Sequence, residues 1–86
     1  MESILKDYKN YLRIERNMSQ NTVNAYCSDV EGFLSFLGSP AKDASSSDIE
    51  NYLGKVASEG MSKRSGARLL SALRSFYGWC VEEGEC

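Results

Sequence analysis

From Met61 to Val81 the chain reads MSKRSGARLLSALRSFYGWCV, with no carboxylate, although the whole sequence carries a formal net charge of −2. Leu69, Leu70, Leu73, Phe76, Tyr77 and Cys80 recur at steps of three and four, which places one apolar seam along a helix. Lys63, Arg64, Arg68 and Arg74 fall mostly off that seam, with Ser65, Ser71 and Ser75 beside them. A helix with an oily seam and an uncompensated basic flank suits docking on a phosphate backbone. The same pattern also describes an ordinary core helix whose arginines are solvated, and this stretch alone does not separate the two.

The remaining residues predict three more helices. Ile4, Leu5, Tyr8, Tyr11 and Leu12 share one helical face, giving a first helix from about Ser3 to Arg16, closed by Asn17. Ser19 is a suitable N-cap for a second, whose stripe is Val23, Tyr26, Cys27, Val30, Phe33, Leu34 and Leu37. Gly32 inside that helix costs roughly 1 kcal/mol relative to alanine, so a close helix contact is expected there. Gly38-Ser39-Pro40 stops the second helix, and Ala41–Ala44 reads as a short polar connection. Ser45 with Asp48 forms a capping box that opens a third helix. Its apolar face is Ile49, Tyr52, Leu53, Val56 and Ala57, and Gly60 ends it. Ser62 then caps the fourth helix, which runs to about Glu83 before Gly84. The fold class is all-α, in a single domain spanning 86 residues.

Composition narrows the chemistry. Histidine is absent and the acids are scattered, so no nucleophile–base set or converging carboxylate pair can be nominated as catalytic. Cys27, Cys80 and Cys86 contain no CxxC pair and offer no zinc spacing. Cys27 and Cys80 fall on apolar stripes and read as buried free thiols, which suits a reducing cytoplasm. No P-loop or dinucleotide turn occurs, so neither cofactor nor metal is expected. The unbroken apolar runs are far too short for a membrane span. Tyr8, Tyr11, Tyr26, Tyr52 and Tyr77 sit at core periodicity.

Two helix starts remain as informative sites. Ser19–Thr22 and Ser62–Ser65 each offer backbone N–H groups, a favourable dipole and side-chain hydroxyls or amides, and the second adds Lys63 and Arg64. If the two starts lie side by side, one face presents Gln20, Asn21, Thr22, Asn24, Lys63, Arg64, Ser65, Arg68 and Ser71. Asn, Gln and Arg are the side chains that read base edges in the major groove. Arg68, four residues from Arg64, is expected on the surface, where truncation shifts folding stability by less than about 0.5 kcal/mol. With about four phosphates neutralised by Lys63, Arg64, Arg68 and Arg74, the logarithmic salt slope of DNA binding is expected near −3.6.

These residues also resemble a known family. The run MSQNTVNAYCSDVEGFLSFLG resembles the second helix of the N-terminal, core-binding domain of tyrosine recombinases, the phage integrase and Xer-type group. Asn21, Thr22, Tyr26, Asp29, Phe33, Phe36 and Leu37 fill its pattern. SSSDIENYL resembles the third helix, and SKRSGARLLSALRSFYGWCVEEGE the fourth, with the core of that motif at Arg68–Tyr77. The three occur in order at the right spacing and cover essentially the whole chain. The resemblance implies a four-helix SAM-like bundle of two crossed helical hairpins that clamps the recombination-site duplex through helices two and four. It puts Asn21, Thr22, Asn24 and Tyr26 in one DNA-facing motif, with Tyr26 shared with the core, and Lys63, Arg64, Ser65, Arg68 and Arg74 in the other. It also implies partner recombinase subunits, a cytoplasmic location and a fragment that is monomeric alone. Where Xer-type proteins carry one or two arginines after the motif tyrosine, this chain has Cys27 and Ser28, so less charge is expected there. The family's catalytic residues belong to a following domain, expected beyond Cys86 in a longer protein, so the fragment itself is not expected to be an enzyme. A SAM-type protein-interaction module and a helix-turn-helix regulator are the competing readings, the latter through a turn at Glu59-Gly60-Met61-Ser62.

Overall fold

A computed structural model describes residues 2–84 as four α-helices joined by short connections. They are α1 (Glu2–Ile14), α2 (Gln20–Leu37), α3 (Ser46–Ser58) and α4 (Lys63–Glu82). Cys86, one of the three cysteines in the sequence, lies outside the described residues.

Local chemistry sets the helix ends. The Ser19 hydroxyl accepts from the Thr22 N–H, and the Ser62 hydroxyl from the Ser65 N–H at 3.1 Å. Ser45 and Asp48 form the reciprocal capping box: the Asp48 N–H donates to Ser45 Oγ, and the Ser45 N–H to Asp48 Oδ2 at 2.9 Å. At the C-terminal ends, Gly38 adopts φ 68° and its N–H returns to the Leu34 carbonyl. Gly60 adopts φ 97°; its N–H reaches the Ala57 carbonyl and the Met61 N–H the Val56 carbonyl, the paired bonds of a Schellman ending. The first helix ends two residues sooner than its periodicity suggests, because Glu15 and Arg16 both donate to the Tyr11 carbonyl before Asn17 turns left-handed at φ 51°. Residues expected to be a plain connection form a 3₁₀ turn, Ala41–Asp43, closed by the Asp43 N–H on the Pro40 carbonyl. Tyr77 Oη holds this turn to α4 by donating to the Ala41 carbonyl at 2.8 Å.

α1 pairs with α2 and α3 with α4, and the two hairpins meet chiefly along α2 and α4. The core is Tyr8 and Leu12 from α1, Val23, Val30, Phe33 and Leu34 from α2, Val56 from α3, and Leu69, Ala72, Leu73, Phe76, Trp79 and Cys80 from α4. Ala72 and Trp79 lie off the predicted seam yet are buried, Trp79 because Tyr8 and Tyr11 of α1 pack on a second side of α4. The Trp79 ring lies 5.4 Å from Tyr8 and 6.0 Å from Phe76. Tyr8 meets Phe76 edge-on at 5.2 Å, and its hydroxyl donates to Ser75 Oγ at 2.9 Å, so a buried aromatic keeps its polar end satisfied. Burial pushes the Tyr8 phenol up from its usual value of 10.0 to about 12.

α3 is the least embedded helix. Val56 is buried, Ile49, Tyr52 and Leu53 are half-buried, and Ala57, assigned to the apolar face by periodicity, is exposed. The expected close contact at Gly32 is present: a Cβ there would lie 2.6 Å from the Tyr52 hydroxyl. Cys80 is a buried free thiol, whereas Cys27 is only half-buried, between Leu5, Lys6 and Lys9 of α1 and Glu31. Among the described residues no helix is long and apolar enough to cross a membrane.

Candidate nucleic-acid interface

The spacing of its basic residues and the lack of a carboxylate before Glu82 shape the outer side of α4. Lys63, Arg64, Arg68, Ser71 and Arg74 are all exposed, and at 3.6 residues per turn they fall within an arc of about 140°. The opposite side of the same helix carries the buried Leu69, Leu73, Phe76 and Cys80. Neither the first nor the last turn of α2 holds a charge, and the first turn of α4 holds no acid. Ser65 is half-buried, with its N–H taken by the Ser62 cap.

On α2, Gln20, Asn21 and Asn24 share an exposed arc, and Gln20 Nε2 donates to Asn24 Oδ1 at 2.8 Å. Thr22 is exposed but tied into the cap, since Ser19 Oγ donates to its hydroxyl at 3.0 Å. Tyr26 is half-buried against the core, on the other side of the helix from Asn21 and Asn24. It therefore contributes to packing.

Arg68 departs most from expectation. Its Nε donates to Asp29 Oδ2 at 2.8 Å and its Nη2 to Asp29 Oδ1 at 2.9 Å, a two-pronged ion pair across 39 positions of sequence. The Asp29 side chain is 8% exposed and that of Arg68 43%. Hydrogen bonding to Asp29 raises the Arg68 pKa further above its ordinary value, so it stays charged. Periodicity assigned Arg68 to an unencumbered surface position. It is instead a bridge between the hairpins, because Asp29 lies on the α2 flank that α4 covers and a buried carboxylate requires a charged partner. The clue in the sequence was Asp29 itself, an acid within a run of core positions.

This bridge also sets how α2 and α4 come together. Asp29 is nine residues beyond Gln20, about 14 Å along the axis. Arg68 is thus joined to the middle of α2. Just beyond Arg68, a shallow hollow at the α3–α4 turn is lined by Val56, Glu59, Met61, Ser62 and Ser65. The Glu59 carboxylate there is engaged by Lys55 at 2.9 Å. Among the described residues no cluster of three or more His, Cys, Asp or Glu could hold a metal ion.

Two capped hairpins, packed through α2 and α4 with one basic outer face, define a small all-α domain. The chain belongs to the phage integrase, N-terminal SAM-like domain family, which matches residues 5–84. Curated relatives are tyrosine recombinases. One named tyrosine recombinase XerD, from Listeria monocytogenes serotype 4b, is 31% identical over 99% of this chain and 30% of its own length. A second XerD, from Rhizobium meliloti, is 42% identical over 81% of this chain and 24% of its own. A XerC from Leptospira interrogans is 41% identical over 91% of this chain and 26% of its own. The chain therefore spans less than a third of the length of these relatives. No solved structure matches the chain.

Proposed function

We propose that this domain binds duplex DNA as the N-terminal, core-binding part of a tyrosine recombinase, gripping the recombination site through α2 and α4. The observation that carries the reading is the outer face of α4, where four basic side chains stand with no carboxylate between Lys63 and Val81. The names of its relatives point the same way. Lys63, Arg64 and Arg74 supply phosphate contacts, and Ser65 and Ser71 beside them are short enough to let a backbone approach. Gln20, Asn21 and Asn24 offer amides for base edges, with Thr22 at the helix start and Tyr26 behind them as support. The chemistry of strand exchange belongs to a separate catalytic domain, and other recombinase subunits are the protein partners in the assembled complex.

Because the Arg68 charge is cancelled by Asp29, three free cations remain, and the expected salt slope moderates from −3.6 to about −2.7. Net charge near −2 opposes association at long range, so the affinity of the domain alone is modest. Titrating labelled duplex at several salt concentrations tests this. Binding at low salt that weakens linearly on a double-logarithmic plot is expected. Absence of binding at low salt, or binding indifferent to salt, refutes the proposal and favours a protein-interaction module.

A further inference from the structure

We propose that Asp29 is a positioning residue for Arg68, converting that arginine from a free cation into an oriented hydrogen-bond donor at the DNA-facing surface. The inference rests on the duplex-binding reading above and deepens it.

A guanidinium carries five N–H groups in a rigid plane. Asp29 occupies the side edge, taking Nε–H and one N–H of Nη2. Three N–H groups remain: both on Nη1 and the second on Nη2. One from each nitrogen projects in parallel from the end of the fork, the geometry that matches two oxygens of a phosphate or the O6 and N7 of guanine. The two bonds to Asp29 fix the guanidinium plane. Asp29 is itself the one buried charged residue among those described, held in the middle of α2, so its carboxylate has little freedom to follow a moving partner. The Arg68 side chain is 43% exposed, and its hydrogen bonds among the described residues are the two to Asp29.

The consequence is electrostatic. A positive and a negative group in direct contact cancel at distances well beyond their separation, while the remaining N–H groups keep their direction for a phosphate or base at the outer edge. Counterion release follows the net positive charge brought to the phosphates. Arg68 therefore adds directed bonds without adding to the salt slope. Lys63, Arg64 and Arg74 differ, because the ion pairs found among the described residues are those of Arg68 and Lys55. The device favours a fixed register over indiscriminate attraction.

The test uses this chain, a labelled random-sequence duplex and salt between about 50 and 200 mM. Asp29→Asn liberates one charge. It should tighten binding at low salt and steepen the slope by about 0.9, so that a fourfold rise in salt weakens binding about 3.5 times more than in the parent. The paired variant Asp29→Asn with Arg68→Gln keeps the site neutral and avoids stranding a buried carboxylate. It should bind several-fold more weakly at an unchanged slope. If the paired variant instead flattens the slope by about 0.9 while Asp29→Asn leaves it unchanged, Arg68 acts as a free cation and the inference fails. Unaltered affinity in the paired variant also overturns it, since Arg68 then does not touch DNA. Failure of the parent to bind any duplex at low salt overturns the underlying reading, and this inference with it.

Discussion

Removing Arg68 should damage folding more than removing the acid it binds. Truncation to alanine leaves the Asp29 carboxylate, 8% exposed, without either of its hydrogen-bond donors. Breaking a fully buried ion pair from one side costs about 3–5 kcal/mol, because an uncompensated charge stays behind. Here the Arg68 side chain is 43% exposed, so water can enter the space it vacates, and the expected loss for Arg68→Ala is about 2–3 kcal/mol. Asp29→Ala is milder. The arginine head turns out to water, and alanine is intrinsically the better helix former by up to about 0.7 kcal/mol, leaving a net loss near 1 kcal/mol. The double alanine variant should be more stable than Arg68→Ala alone, with a coupling of about 1–3 kcal/mol. Urea unfolding of the parent, both single variants and the double, followed by circular dichroism, measures all of these. A loss below about 0.5 kcal/mol for Arg68→Ala, the value for an unencumbered surface arginine, would refute the reasoning. So would simple additivity in the double variant.

Two further outcomes follow from the core. Leu12 is fully buried between α1 and the rest of the bundle, so Leu12→Ala should cost about 2–5 kcal/mol in denaturation; an unchanged midpoint would mean that α1 is not part of the folded core. Tyr8 has a folded-state pKa of about 12, raised above 10.0 chiefly by burial, so the neutral phenol is the form the fold favours. Its contribution is complete below pH 10 and is lost as pH rises through the folded value, reaching about 2 kcal/mol of destabilisation by pH 12. Tyr8→Phe should remove that part of the alkaline decline in a pH series of melts, and an identical decline in the variant would place its cause elsewhere.

Helix boundaries were legible in the sequence because capping acts over a few residues. Ser19, Ser45 with Asp48, and Ser62 start helices through bonds reaching three positions ahead. Gly38 and Gly60 end them by a local backbone conformation that glycine adopts without strain. The same holds for the basic flank of α4, since periodicity alone separates Lys63, Arg64 and Arg74 from Leu69, Leu73 and Phe76. The motif order that marks the family is likewise a property of the linear chain.

Contacts between helices had to be decided in three dimensions. Periodicity ranks the sides of a helix but does not say how many of them a neighbour covers. Trp79 is buried because α1 packs on a second flank of α4, and Ala57 is exposed because α3 is covered on one narrow side only. The Tyr8 hydroxyl finds Ser75 across 67 positions, and Arg68 finds Asp29 across 39. Charge patterning identified Arg68 as basic and outward-facing, which it is. Only the approach of α2 revealed that two of its five N–H groups are already engaged, because an ion pair depends on where two helices cross and not on what either one contains.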